Sequence, residues 1–110
     1  MRVSSIDLLS QRRIFWSKDE INRTKHGLSF EESSELFKSG VDYLEIYDEE
    51  HSEDEDRFIA VGPIKRGVIV VAFTEREDDV LRLLSARVAT KNERRRFEAY
   101  EKSRHERRDS

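Results

Sequence analysis

The chain has 110 residues, 35% hydrophobic and 41% charged, with a formal net charge of −3 and no cysteine. That length suits one domain with a modest core, and the missing cysteine excludes disulfides and thiolate chemistry. No apolar run reaches membrane-spanning length, and no long apolar stretch ahead of a small-residue cleavage site opens the chain, so the composition points to a cytoplasmic protein.

Residues 1–13 are polar and irregular and read as an N-terminal extension. Residues 14–102 read as the single folded domain, and 103–110 as a charged, loose tail. Ile14-Phe15-Trp16 makes a short first strand. Three capping boxes follow: Ser17 with Glu20, Ser29 with Glu32, and Thr90 with Glu93. In each, the hydroxyl accepts from an orphan N–H while the Glu reaches back to the cap. They predict helices over 18–25, stopped by Gly27, over 30–38, ended by Gly40, and over 91–102 or beyond. The first two form a hairpin with a tight link. Strands are predicted over 41–47, 58–64, 68–74 and 80–87, the last three joined by short links. The result is an α+β domain: an antiparallel β-meander with an N-terminal helix hairpin, a C-terminal helix, and the helices against one sheet face.

The charge is unevenly placed. Nine acidic residues and no Lys or Arg lie between Asp42 and Asp56, whereas 91–108 holds eight Lys/Arg against four Glu. His26, His51 and His105 stand singly, so no metal site and no cofactor is expected. Neither a glycine-flanked serine elbow nor a phosphate-cradling glycine loop is present. What stands out is cationic: Arg57, Arg76, Arg82 and Arg87 on or beside predicted strands. In a meander, Arg57, Arg76 and Arg82 share one end. Arg87 lies toward the other end, and strict alternation over five steps puts it on the face opposite Arg82. Each guanidinium either pairs with a carboxylate inside the fold or waits for an anionic ligand such as phosphate.

The same residues carry a resemblance. Phe15-Trp16, Asn22, Lys25-His26-Gly27-Leu28-Ser29-Phe30-Glu31-Glu32 and Phe37 form one block. Asp48, His51-Ser52, Glu55, Arg57-Phe58 and Gly62 form a second. Thr74-Glu75-Arg76, the run from Arg82 through Ser85-Ala86-Arg87, Ala89-Thr90 and Glu93-Arg94 form a third. In this order they resemble the BrnT family of toxins. The chain departs from the family's pattern at Ser17, at Ser39-Gly40 and in its longer N-terminus. The resemblance implies a RelE-like fold and a bacterial type II toxin that cuts RNA without a metal and stops translation. It also implies a BrnA-type ribbon-helix-helix antitoxin, with operator DNA bound only through the toxin–antitoxin complex. By the same resemblance, the catalytic candidates are Arg57, Glu75, Arg76, Arg87 and His51, and Lys25, His26 and Arg82 contact RNA. Glu75 or His51 is the candidate base, and the acidic surroundings of His51 suit an acid better. The acidic run 48–56 is expected to point away from an RNA site or to fold against the C-terminal helix. The alternative is a non-catalytic nucleic-acid or antitoxin-binding module of the same operon.

Overall fold

The computed structural model describes residues 13–38, 40–76 and 80–109. The expected extension falls almost wholly outside the described residues. The elements are β1 (Arg13–Trp16), α1 (Asp19–His26), α2 (Phe30–Ser33) running into a 3-10 turn (Ser34–Phe37), β2 (Leu44–Tyr47), β3 (Arg57–Ile64), β4 (Gly67–Arg76), β5 (Val80–Val88) and α3 (Lys91–Asp109). The fold is α+β, with one five-stranded sheet in the order β1-β5-β4-β3-β2.

The antiparallel meander from β2 to β5 matches the expectation. The sheet as a whole is mixed, because β1 pairs with β5 in parallel from Arg13↔Val80 to Trp16↔Leu83. A parallel partner needs a long crossover, and α1, α2 and the meander supply it.

Helices cover both faces of the sheet rather than one. On the first face, Leu28, Phe30, Leu36 and Phe37 pack over Ala60, Ile69, Val71, Phe73, Leu81, Leu83 and Ala86. Gly62 makes this approach possible: a Cβ there would sit 2.6 Å from Leu36 and 2.7 Å from the Tyr43 side chain. On the second face, Phe97 of α3 packs on Val61 and Val70, flanked by Leu44, Ile59, Val68 and Tyr100. Alternation along β3 and β4 divides these two cores cleanly.

The local signals held unevenly. At α3 the box closes as predicted: Thr90 N–H donates to Glu93 at 2.8 Å, and Glu93 N–H donates to Thr90 Oγ1 at 3.2 Å. At α2, Ser29 Oγ accepts from Glu32 N–H at 3.0 Å, but the Glu32 carboxylate turns to Arg66 at 2.9 Å. At α1 the box fails. Lys18 is the cap residue, left-handed at φ 62°, with no side-chain bond, and Asp19 instead accepts from Phe30 N–H at 2.7 Å, joining α1 to α2.

The expected second helix of the hairpin is one α turn followed by a 3-10 turn. Ser33 Oγ donates back to Ser29 O at 2.7 Å, and Ser34 Oγ to Glu31 O at 2.6 Å, which favours tightening over elongation. The period falls to three, so Phe30, Ser33 and Leu36 are all buried on one line. At the other end, α3 continues through Asp109, where the expectation was Lys102 or beyond. Glu, Lys and Arg are good helix formers, and no Gly or Pro interrupts them.

Asn22 closes a gap that β1 leaves. β1 stops opposite Leu83, so the outer edge of β5 is unpaired beyond it. The Asn22 amide, 6% exposed, donates to Ala86 O at 2.9 Å and to Leu28 O at 2.8 Å, and accepts from Ala86 N–H at 3.1 Å. One side chain thus does the pairing of an absent strand residue.

Candidate RNA-cleaving cleft

Strand register builds the site. Arg57 of β3 lies opposite Thr74 of β4, which lies opposite Arg82 of β5. The three form a row across adjacent strands, with side-chain roots about 5 Å apart. All three are on the second face, the one α3 covers farther along: Thr74 is two steps from Ala72 and four from Val70, and period-2 alternation keeps them together. Arg76, two residues on, shares that face. The three arginines expected at one end are therefore together there.

Arg87 is a correction to strict alternation. A register irregularity between Ala72 and Phe73 places Ala72 opposite Ser85 but Phe73 opposite Leu83, so Leu84 is an extra residue in β5. The bulge reverses the parity after it. Leu81 and Leu83 lie in the first core, and so does Ala86. Arg87, opposite Val70, consequently shares the face of Arg82. It is nonetheless remote, about 13 Å from the row along the strand. Its fork is taken by Glu93 through two bonds of 2.7 Å. That pair raises the Arg87 pKa and lowers Glu93 to about 2.

Glu75 alternates to the first face, opposite Leu81 of the first core. It is separated by the sheet from Arg57, Arg76 and Arg82. Lys25 and His26 end α1, from which no residue lines the cleft described next.

The loop between β2 and β3 forms the cleft. Asp48 N–H donates to Arg57 O at 2.8 Å. Ser52 Oγ donates to Asp48 O at 2.6 Å and accepts from Arg57 N–H at 2.9 Å. These bonds fold the acidic loop back beside the strand that carries Arg57. The resulting cleft, about 360 Å³, is lined by Glu50, His51, Glu53, Asp54, Glu55, Arg57 and Thr74. The acidic run was expected to point away or to fold against the C-terminal helix; its backbone ties bring it to the cleft instead. Glu55 reaches Arg76 at 3.2 Å. His51 Nδ1 contacts both Asp48 carboxylate oxygens, at 3.0 and 3.1 Å. Asp48 thereby fixes the orientation of the His51 ring through Nδ1.

Charge satisfaction separates the arginines. Arg76 and Arg87 have carboxylate partners. Among the described residues, no carboxylate pairs with Arg57 or Arg82. Among the described residues, the Nε of Arg57 is buried without a hydrogen-bond partner, and so is Oγ1 of Thr74. Buried polar groups of this kind are rare, and each calls for a ligand or an explanation. No cluster of three or more metal-ligating side chains occurs among the described residues, and none of the helices is long and apolar enough to cross a membrane.

The sequence grouped Arg57, Arg76 and Arg82 at one end and named His51 as a candidate base without placing it beside them, and it missed Thr74 and Glu55 as lining residues. The signal for Thr74 was its hydroxyl on the face where β4 otherwise carries Val70 and Ala72.

Residues 16–93 match the family described as ribonuclease toxin, BrnT, of type II toxin–antitoxin systems. The crystal structure of the Brucella abortus ribonuclease toxin BrnT resembles this fold with a TM-score of 0.52 and 23% sequence identity, covering 74% of this chain and 100% of that one. No curated protein matches the chain.

Proposed function

The chain belongs to the BrnT family of ribonuclease toxins of type II toxin–antitoxin systems, and we propose that it is a metal-independent endoribonuclease whose active site is the cleft beside Arg57 and Arg82. The observation that carries this reading is the Arg57 guanidinium, half-buried at the cleft with Nε unpartnered. A guanidinium held this way is a ready hydrogen-bond donor to a phosphate oxygen.

Arg57 and Arg82 hold non-bridging oxygens of the scissile phosphate and stabilise the charge that builds on them in the transition state. The ribose 2′ oxygen bonds to phosphorus while the bond from phosphorus to the 5′ oxygen breaks. The 2′ proton passes to water, and the departing 5′ oxygen takes a proton from His51, which Asp48 orients at Nδ1. The products are a cyclic phosphate and a free 5′ hydroxyl. Arg76 joins the clamp when the polyanion displaces Glu55. On this reading Glu75, on the other face of the sheet, is not the base, and Arg87, paired with Glu93, anchors α3 to β5 rather than clamping phosphate. Two guanidinium groups supply the positive charge that a metal supplies in other nucleases, which supports metal independence. In the cell, the activity arrests translation in the cytoplasm until a BrnA-type ribbon-helix-helix antitoxin masks the cleft. Operator DNA is reached only through that complex.

Arg57→Ala tests the reading. The Arg57 backbone bonds to Asp48 and Ser52 survive the change, and no side-chain hydrogen bond at Nε is lost. Cleavage of a transcript should fall about a hundred- to a thousandfold, with the thermal midpoint and antitoxin binding kept. Unchanged cleavage, or no growth arrest on expressing the wild type without its antitoxin, refutes it.

A further inference from the structure

Two buried side-chain polar atoms lack a partner among the described residues, Arg57 Nε and Thr74 Oγ1, and both residues line one cleft. Arg57 is explained by an anionic ligand. Thr74 is harder to explain as part of the fold. It is 2% exposed, and an unmet hydroxyl so deeply buried is destabilising. Valine has nearly the same shape and packs equally well in a central strand. The preceding inward positions on this face of β4, Val70 and Ala72, are indeed apolar. The hydroxyl stands where β4 passes between Arg57 and Arg82, two cations that no carboxylate among the described residues pairs with.

We infer that Thr74 is a substrate-contacting residue whose hydroxyl donates to a non-bridging oxygen of the RNA phosphate, completing a seat with Arg57 and Arg82. This rests on the ribonuclease reading for the identity of the anion, but the seat itself rests on burial and register. A hydroxyl between two guanidinium groups adds a short, directional donor where the forks alone leave the phosphate free to rotate. Such a donor orients the phosphorus for in-line attack. Its cost is borne in the empty protein and recovered on binding, a trade of stability for function.

Thr74→Val and Thr74→Ser in the full chain separate the possibilities. With Val, transcript cleavage should fall about ten- to a hundredfold, the worth of one hydrogen bond to a charged group, mainly in kcat. The thermal midpoint should stay the same or rise. Ser should restore cleavage to within about threefold, since it keeps the donor. Inorganic phosphate, compared with chloride at equal ionic strength, should raise the midpoint of the wild type more than that of the Val variant. Wild-type cleavage by the Val variant overturns the inference. So does a Val variant that loses both activity and stability, because the hydroxyl is then a structural group. If the wild type cleaves no transcript yet phosphate stabilises it through Thr74, the ribonuclease reading fails and the anion seat stands. Equal stabilisation of both proteins by phosphate overturns the seat.

Discussion

Arg57 and Arg87 are the same residue type on the same sheet face, and their surroundings give them opposite tasks. Arg87 is locked by Glu93 in a bidentate pair that also closes the cap of α3. Arg57 is held through its backbone, and its buried Nε has no partner among the described residues. The Arg87 pair has a pH signature. Glu93 is lowered from 4.5 to about 2, first by its hydrogen bonds from Arg87 and then, against some cost of burial, by Thr90. A depressed carboxylate stabilises the fold only while it is ionised in the native state. Its contribution is complete above about 4.5 and is lost as pH falls toward about 2. At neutral pH, Glu93→Gln should cost about 1 kcal/mol, a value discounted for the partial exposure of the pair. The gap between the thermal midpoints of the two proteins should close as the pH is lowered through that window. A gap that stays constant into acid would remove the pair from the stability of the fold. The sequence set Arg87 apart from Arg57 and left it either a clamp or the ion pair holding the last strand, but it did not reveal the partner. A carboxylate six residues downstream becomes a partner only once the strand ends and α3 turns back.

At the scale of elements, the bulge at Leu84 decides which side chains share a face. Without it, Ala86 leaves the first core and Arg87 leaves Glu93. Deleting Leu84 should therefore cost far more than trimming its side chain. The deletion reverses the faces of residues 85–88, withdraws Ala86 from Asn22, and should leave the protein unfolded at room temperature by circular dichroism. Leu84→Ala should stay folded, with a loss of about 1–3 kcal/mol for a half-buried leucine. A deletion variant that folds with normal stability would mean that register in β5 is not fixed by its neighbours. This element also marks the limit of sequence reading. The meander was legible, since periodicity and short links are local properties. The bulge was not, because no Gly or Pro flags it, and strict alternation put Arg87 on the wrong face. The parallel pairing of β1 was hidden for another reason: it joins segments more than sixty residues apart, and Asn22, which completes that edge, looks in sequence like an ordinary helix residue.

At the scale of the whole molecule, charge complicates an RNA-cleaving role. The chain is net acidic at −3, and the carboxylates of Glu50, Glu53, Asp54 and Glu55 line the cleft beside Arg57. A polyanion approaching this cleft meets repulsion before it meets the guanidinium groups. Local field, not net charge, sets the approach rate, and a cleft concentrates that field. On the proposed reading, the acidic wall lowers affinity for RNA nonspecifically and reserves the seat for a phosphate pressed close enough to engage Arg57 and Arg82. Replacing Glu50, Glu53 and Asp54 together by their amides tests this without touching the Glu55–Arg76 pair. RNA should bind about three- to tenfold tighter at low salt, chiefly through faster association. The advantage should shrink as added salt shortens the Debye length to below about 10 Å. The wild type should still lose affinity with salt, because its arginine contacts release counterions from the RNA. An amide variant that binds RNA no better than the wild type at low salt would place the RNA path elsewhere on the sheet. Tighter binding with cleavage lost would instead assign one of these carboxylates to the chemistry beside His51.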